Sequence, residues 1–387
     1  MKVPKVILRI ETSRACGRGI LLGISRFCHL FSRWRLSQKL PFYLNSRSSS
    51  DDPNLPENWM ADGMIVARPE IPEAIRQIGL PVIGIDVLEP LGGLPNIVGD
   101  AEAIAEMALQ HFMDRGFAHL AYCEFEGIPW AVERGAKLAA LAKQKGIDVV
   151  EYGIKNTEGR FSWDDELYAI GAWLGGLPRP LGLLACNDDC AKLVSAACES
   201  ADICVPDDVA ILSVDNDEMI CLPNDPTLSS VALDFEKAGF EAAGLLDRIM
   251  KGEEELSSQR ILLRPSHVAA RQSTDILAVS DSDVAAALQY IRENVHKPLG
   301  VPDVVEATSL SRRGLEYRFR NVLGRSINNV IKGLRVEQVS KMLVETSLSI
   351  TQIAYNLGFT DSKHVARYFR NEKQVSPSEF RKKYGSL

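Results

Sequence analysis

Long apolar runs, paired cysteines and histidine clusters are all missing from this chain, and each absence removes a class of protein. A membrane-spanning helix needs about 18–20 consecutive apolar residues, and no stretch approaches that length. The first twelve residues carry Lys2 and Lys5 ahead of a short apolar run broken by Arg9, too little for a signal-peptide core. Neither membrane association nor export is expected, and the protein is expected to be cytoplasmic. The eight cysteines all lie at or before Cys221, scattered singly, and Cys186 and Cys190 have no second pair to complete a zinc site. Dispersed thiols of this kind fit a reducing compartment rather than a disulfide framework. With six histidines and no P-loop, G-x-S-x-G or H-E-x-x-H motif, no cofactor or metal is expected and the chain does not read as an enzyme. An enzymatic alternative would have to rely on Asp188-Asp189 and Asp215 with Asp217 as acid/base or metal-binding carboxylates.

What is present is an asymmetry of charge. The whole chain has a formal net charge of −7, yet residues 281–387 hold 17 Lys+Arg against 11 Asp+Glu. From residue 309 onward the excess grows to 15 against 6. An acidic body followed by a basic tail suits a soluble sensor joined to a polyanion binder.

The acidic body alternates short apolar strands with amphipathic helices. Strands are predicted at Val6–Ile10, 62–67, 80–86, His119–Cys123, Gly182–Cys186 and Val209–Val214. Helices are predicted at Gly17–Phe31, Ala101–Arg115, Ala131–Lys145, Cys190–Ala201 and Phe235–Lys251. Repeated β-α-β units imply a doubly wound parallel sheet that binds ligands beyond the carboxyl ends of its strands. Those ends carry Glu11, Arg68, Asp86, Asn187, Asp188 and Asp215, a set suited to a polar small molecule.

The stretches Gly182–Ala196, Val205–Asn216, Pro226–Val231 and the helix Ala238–Gly252, with Asp114–Tyr122 earlier, resemble the effector-binding core of LacI/GalR-type sugar regulators. The resemblance covers roughly residues 4–270 and is most specific over 182–252. It implies the two-lobed α/β fold of periplasmic sugar-binding proteins, with lobe crossings near 116, 233 and 260. The domain would span 1–272, and the usual N-terminal DNA-binding helices of that family are not expected. By position in the family, Arg134, Asn187 and Asp215 should face the sugar. A carboxylate accepts from adjacent hydroxyls, while Arg and Asn donate in fixed geometry. Trp130 could cover the apolar face of a pyranose ring, and Glu11, Ser13, Asp86 and Asp188 are further candidates. Structural roles remain open for several of these: Arg134 in a surface ion pair, Trp130 in the core, and Asp215 as a helix cap.

Residues 271–282 are polar and aperiodic, so a linker is predicted at 273–282, followed by an all-helical domain over 283–387. Val301–Ala307 and Ser311–Val322 form one predicted helix-turn-helix, with Ser311 as N-cap. Ser326–Glu345 is a long connecting helix, and Ile350–Leu357 with Asp361–Asn371 repeats the motif. In the second motif Val365 and Phe369 face the core, which leaves Ser362, Lys363, His364 and Arg367 outside. In the first, Arg312, Arg313, Glu316 and Arg320 are free to point outward. Side chains of these types on the first turns of a helix can reach base edges in the major groove.

The run Ile353–Phe359, then Val365–Arg370, then Ser376-Pro377 with Phe380-Arg381 resembles the AraC-type double helix-turn-helix. Gln374 stands where that family usually has glycine, and Tyr317 stands where the first reading helix often has a basic residue. By position, Arg313, Glu316, Ser362, Lys363, His364 and Arg367 would read bases, while Arg312, Arg320 and Arg370 would hold phosphates. A LacI/GalR-type core ahead of an AraC-type domain, with Trp130–Arg134, Val214–Glu218 and Arg271–Asp275, resembles the regulators of xylose operons. That implies a double-stranded DNA operator, D-xylose as effector, a homodimer, and RNA polymerase as a partner if the protein activates. The same architecture sensing another sugar or a purine is the alternative.

Overall fold

Strands buried on both faces read as continuous apolar runs rather than as alternation, and this is how the acidic body is built. The computed structural model describes residues 3–38, 61–67, 79–85, 93–155, 163–276, 281–359, 361–373 and 375–384. Strands β1 (Lys5–Arg9), β2 (Arg35–Gln38), β3 (Gly63–Val66), β4 (Val82–Ile85), β5 (Asn96–Gly99) and β11 (Arg260–Leu263) make one sheet. Its order is β11-β5-β4-β3-β1-β2, with every pairing parallel. All four residues of β3 and of β4 are buried.

Helices α1 (Ala15–Leu30) and α7 (Phe235–Met250) belong to the same compact unit, formed by residues 1–100, 128–130 and 234–264. Their backbones touch. A Cβ on Gly23 would stand 1.9 Å from the Glu236 carbonyl oxygen, and one on Gly239 would stand 2.1 Å from that of Ile20.

The second sheet contains β6 (His119–Phe125), β7 (Val149–Ile154), β8 (Leu181–Ala185), β9 (Val209–Asp215), β10 (Ser229–Leu233) and β12 (Pro265–Ala269). The order is β12-β10-β9-β8-β6-β7, parallel throughout except for the antiparallel edge strand β12. Helices α2 (Ala101–Met113), α3 (Pro129–Lys143, from Ala131 onward), α4 (Trp163–Gly175), α5 (Asp188–Ser200) and the short α6 (Glu218–Cys221) belong to this unit. The chain enters it at 100/101, contributes Ile128–Trp130 to the first unit, leaves at 233/234 and returns at 264/265. The first crossing therefore precedes the predicted position near 116, because α2 packs on β10 and β12.

The predicted linker at 273–282 also differs from what is observed. Gln272–Thr274 is a short 3-10 helix whose Ser273 and Thr274 are fully buried. The Ser273 hydroxyl donates to the Ile211 carbonyl at 2.6 Å and accepts from the Ser229 amide at 2.8 Å. The polar residues that suggested solvent exposure are instead satisfied internally. Residues 277–280 of the predicted linker lie outside the described residues.

The C-terminal residues cluster with this second unit. They form α8 (Ser282–Asn294), α9 (Val301–Glu306), α10 (Arg312–Leu323), α11 (Ile327–Glu345), α12 (Ile350–Asn356), α13 (Ser362–Lys373) and α14 (Pro377–Tyr384). Ser311 caps α10 by accepting from the Gly314 amide, and Gly324 ends it in the left-handed conformation. The first half of α11 supplies Ile327, Val330, Ile331 and Leu334 to a core with Leu315 and Phe319. Its second half supplies Val336, Val339 and Leu343 to a core with Val365, Phe369 and Phe380. Arg335 marks the junction, donating to the Leu357 carbonyl at 2.5 Å and lying 3.9 Å over the Phe359 ring. Among the described residues no helix is long and apolar enough to cross a membrane.

Substituting Gly239→Val forces α1 and α7 apart. The first unit should lose about 1–3 kcal/mol or more, read as a lower unfolding midpoint by calorimetry; an unchanged midpoint would show that the helix contact is looser than described.

Candidate functional site

At the carboxyl end of β8 the chain turns directly into α5. Asn187 caps that helix, its side-chain oxygen accepting from the Cys190 amide at 2.9 Å. Asp188 follows and is 2% exposed. Its carboxylate accepts from the Ser213 hydroxyl, from the Ser230 hydroxyl at 2.7 Å and from the Asp217 amide at 2.6 Å. Burial pushes this carboxyl up, and the three donors pull it partly back. Expected as a pocket group, Asp188 instead spends its oxygens on internal donors and anchors the strand ends.

The turn after β9 is strained. Asp215 has φ 109° and Asn216 φ 55°, both in the region that favours glycine, at about 1–3 kcal/mol each. Two contacts hold Asn216 there: its amide donates to the Ser230 hydroxyl at 2.9 Å, and its side-chain oxygen accepts from Arg271 at 2.7 Å. Asp215 is half-buried. Burial pushes its carboxyl up to about 8, with Asp188 adding to the rise and Arg134 opposing it.

Arg134 reaches this end of the sheet from α3. Gly135 lets that helix approach Tyr122 on β6, since a Cβ there would stand 2.4 Å from the ring, and the Tyr122 hydroxyl donates to the Ala131 carbonyl at 2.6 Å. Arg134 is buried and donates to the Cys186 carbonyl. The structure thus brings Arg134, Asn187 and Asp215 to one end of the second sheet. A carboxyl group, a guanidinium and an amide in that arrangement can bind a polyhydroxylated ligand through hydrogen bonds, those from the guanidinium being charge-assisted.

Trp130 is half-buried, one helical turn before Arg134. Glu11 and Ser13 are exposed in the loop between β1 and α1, where the Ser13 amide donates to the Glu11 carboxylate at 2.8 Å. Asp86 and Arg68 lie outside the described residues. Arg271 has no site role in the sequence beyond its place in the Arg271–Asp275 stretch; it stands two residues before the buried Ser273, and only the fold reveals its contacts.

The helical domain sorts its basic residues into two kinds. On α10, Arg312, Arg313 and Arg320 are exposed, Glu316 is half-buried, and Tyr317 stands 67% exposed among them. On α13, Lys363, His364, Arg367 and Arg370 are exposed and Ser362 is half-buried. The His364 ring meets the Phe359 and Tyr368 rings edge-on at 5.6 and 6.2 Å, which orients it, and Asp361 caps the helix by accepting from the His364 amide at 2.6 Å. Arg318 is committed elsewhere, 3.1 Å from both Asp281 and Asp283 at the start of α8. Arg325 pairs with Asp114. The exposed set has the chemistry of base and phosphate contacts. Gln374 lies outside the described residues.

Residues 109–274 match the periplasmic binding protein-like domain, and residues 304–383 match the helix-turn-helix domain. The chain is 28% identical to the xylose operon regulatory protein of Escherichia coli strain K12, over 97% of this chain and 96% of that protein. It is 29% identical to the xylose operon regulatory protein of Haemophilus influenzae, over 74% of each. The solved structure of the xylose-binding transcription activator xylR superposes with a TM-score of 0.61 at 26% identity, covering 100% of both chains.

The raised carboxyl of Asp215 gives stability a pH dependence. An unfolded aspartate loses its proton near about pH 4, whereas the folded one keeps it to about 8. Between those values the folded state holds the extra proton, so stability falls as pH rises, by at most about 1.4 kcal/mol per pH unit. Denaturant unfolding at pH 5 and pH 8 should show a smaller difference for Asp215→Asn than for the wild type; equal differences would remove Asp215 as the source.

Proposed function

We propose that the chain is a transcription regulator that joins a periplasmic-binding-protein-like sensor to an AraC-type helix-turn-helix domain, and that it is a cytoplasmic sensor of D-xylose. The observation that carries the reading is the convergence of Arg134, Asn187 and Asp215 at the carboxyl end of the second sheet, in the same compact unit as the DNA reader. Arg134 donates to sugar hydroxyls, Asp215 accepts from them, and Trp130 covers an apolar ring face. The likeness to xylose operon regulatory proteins over nearly the whole chain favours the pentose over other sugars.

On DNA, a homodimer presents paired double helix-turn-helix units to an operator, with RNA polymerase as the partner when it activates. Arg313, Glu316, Ser362, Lys363, His364 and Arg367 read bases, and Arg312, Arg320 and Arg370 hold phosphates. Tyr317 puts an aromatic ring among the exposed arginines of α10, where it can touch a thymine methyl.

Two experiments test this reading. Calorimetric titration of the full chain with D-xylose, arabinose, ribose, glucose and a purine base should give saturable binding for xylose, weakened about tenfold or more by Arg134→Ala. No heat with xylose but a clear isotherm with another compound would reassign the effector. On a selected operator, Arg367→Ala should lose about 1–3 kcal/mol at one base pair and relax selection there. Arg320→Ala should weaken all sequences alike and flatten the salt dependence. Equal, sequence-blind losses from both changes would refute the division between base and phosphate contacts.

A further inference from the structure

The strained turn after β9 and the seat of the DNA reader are joined by one short segment, residues 271–275. At its first residue Arg271 bridges two elements, donating to the Asn216 side chain at 2.7 Å and to the Leu228 carbonyl at 2.8 Å. Its amide donates to the Ser229 hydroxyl at 2.7 Å, and that hydroxyl meets the Thr274 hydroxyl at 2.7 Å. Thr274 in turn meets His111 at 3.0 Å, and its carbonyl accepts from Arg115 at 3.1 Å. Asp275 pairs with Arg292 of α8 at 2.7 Å. Beside Arg115, Asp114 is held by Gln110 at 2.6 Å and pairs with Arg325 at the start of α11. Gly333 of α11 leaves room for that pair, since a Cβ there would stand 3.2 Å from the Arg325 guanidinium and 3.8 Å from the Asp114 carboxylate. Helices α8 and α11 flank the reading helix α10, and Arg318 ties α10 to the cap of α8.

We propose that Arg271 is a positioning residue that couples the Asp215–Asn216 turn to the orientation of the DNA-reading helices. Both residues lie in the left-handed region, and Asn216 is held by its hydrogen bonds to Ser230 and Arg271. A ligand that engages Asp215 changes the balance of those contacts, and Arg271 is the side chain that answers. Its backbone belongs to the segment that seats α8, so a shift of its guanidinium is carried to Thr274, Asp275 and the Arg115 clamp. By linkage, DNA bound at the reading helices must act back on the turn. The inference rests on reading this strand end as the effector pocket, but its test needs no sugar.

The test is hydrogen exchange of the full chain, with and without a DNA duplex selected by the protein from a randomised pool. In the wild type, saturating duplex should change exchange at the amides of residues 214–218 by about fivefold or more. In Arg271→Ala that change should vanish, while protection of α10 and α13 by the duplex persists; Arg271→Lys should restore part of it. A residue serving only as a brace would raise exchange at the turn in both states and leave the response to DNA intact, which would overturn the proposal. So would a wild-type turn that ignores the duplex. If Arg271→Ala does not fold, Asn216→Ala removes the same hydrogen bond from the other side and must give the same loss of response. A parallel D-xylose titration reports separately: failure of xylose to bind overturns the effector assignment, while the DNA arm still decides the role of Arg271.

Discussion

A carboxylate taken out of water must find donors inside the protein or neutralise, and the Asp188 side chain imposes that constraint on everything around it. Its donors come from three places: Ser213 in β9, Ser230 in β10, and the Asp217 amide just past the turn. Three elements are thereby drawn to one carboxylate. The chain between Ser213 and Asp217 has to close over that group, and it does so with Asp215 and Asn216 in the left-handed region. Strain, buried charge and the raised carboxyl of Asp215 are consequences of one requirement.

The same economy governs the DNA reader. Among the described residues the end of the sensor is held firmly: Ser273 and Thr274 are buried, and Asp114 pairs with Arg325 at the start of α11. Coupling between two sites typically amounts to about 1–3 kcal/mol, the scale of one or two hydrogen bonds to charged groups. A seam of such bonds between the strained turn and α8 is therefore sufficient to bias one arrangement of the reading helices over another. An effector contributes only its differential affinity for those arrangements.

How much of this could be read from sequence depended on the range of the interactions. The helix-turn-helix pair was legible because its signals are local: Ser311 as cap, Leu315 and Phe319 four apart, and Val365 and Phe369 repeating the spacing all stand as the periodicity implies. Strands β1, β3, β4, β6, β8 and β9 were legible for the same reason, as apolar runs of strand length, whereas the division into two lobes came from the family resemblance. Arg134, Asn187 and Asp215 were candidates through family position; Asn187 and Asp215 share one end of the sheet because parallel strands end on the same side, and Arg134 reaches that end from α3. Long-range pairings were not legible. Asp188 looked like a pocket residue because its donors lie 25 to 42 positions away. Arg318 and Arg325 looked like any other basic residue of the tail until Asp281, Asp283 and Asp114 were seen to claim them. The 271–275 segment looked like a linker because polarity alone does not distinguish hydrogen bonding to water from hydrogen bonding to protein.

The central claim is that one chain couples a sugar site to a DNA reader. It is tested most directly by measuring operator binding of the full protein in the absence and presence of saturating D-xylose, at fixed salt. The account predicts that xylose shifts the operator affinity by about fivefold or more, and that glucose at the same concentration does not. Superimposable binding curves, with xylose bound to the protein in both the free and the DNA-bound states, would contradict it.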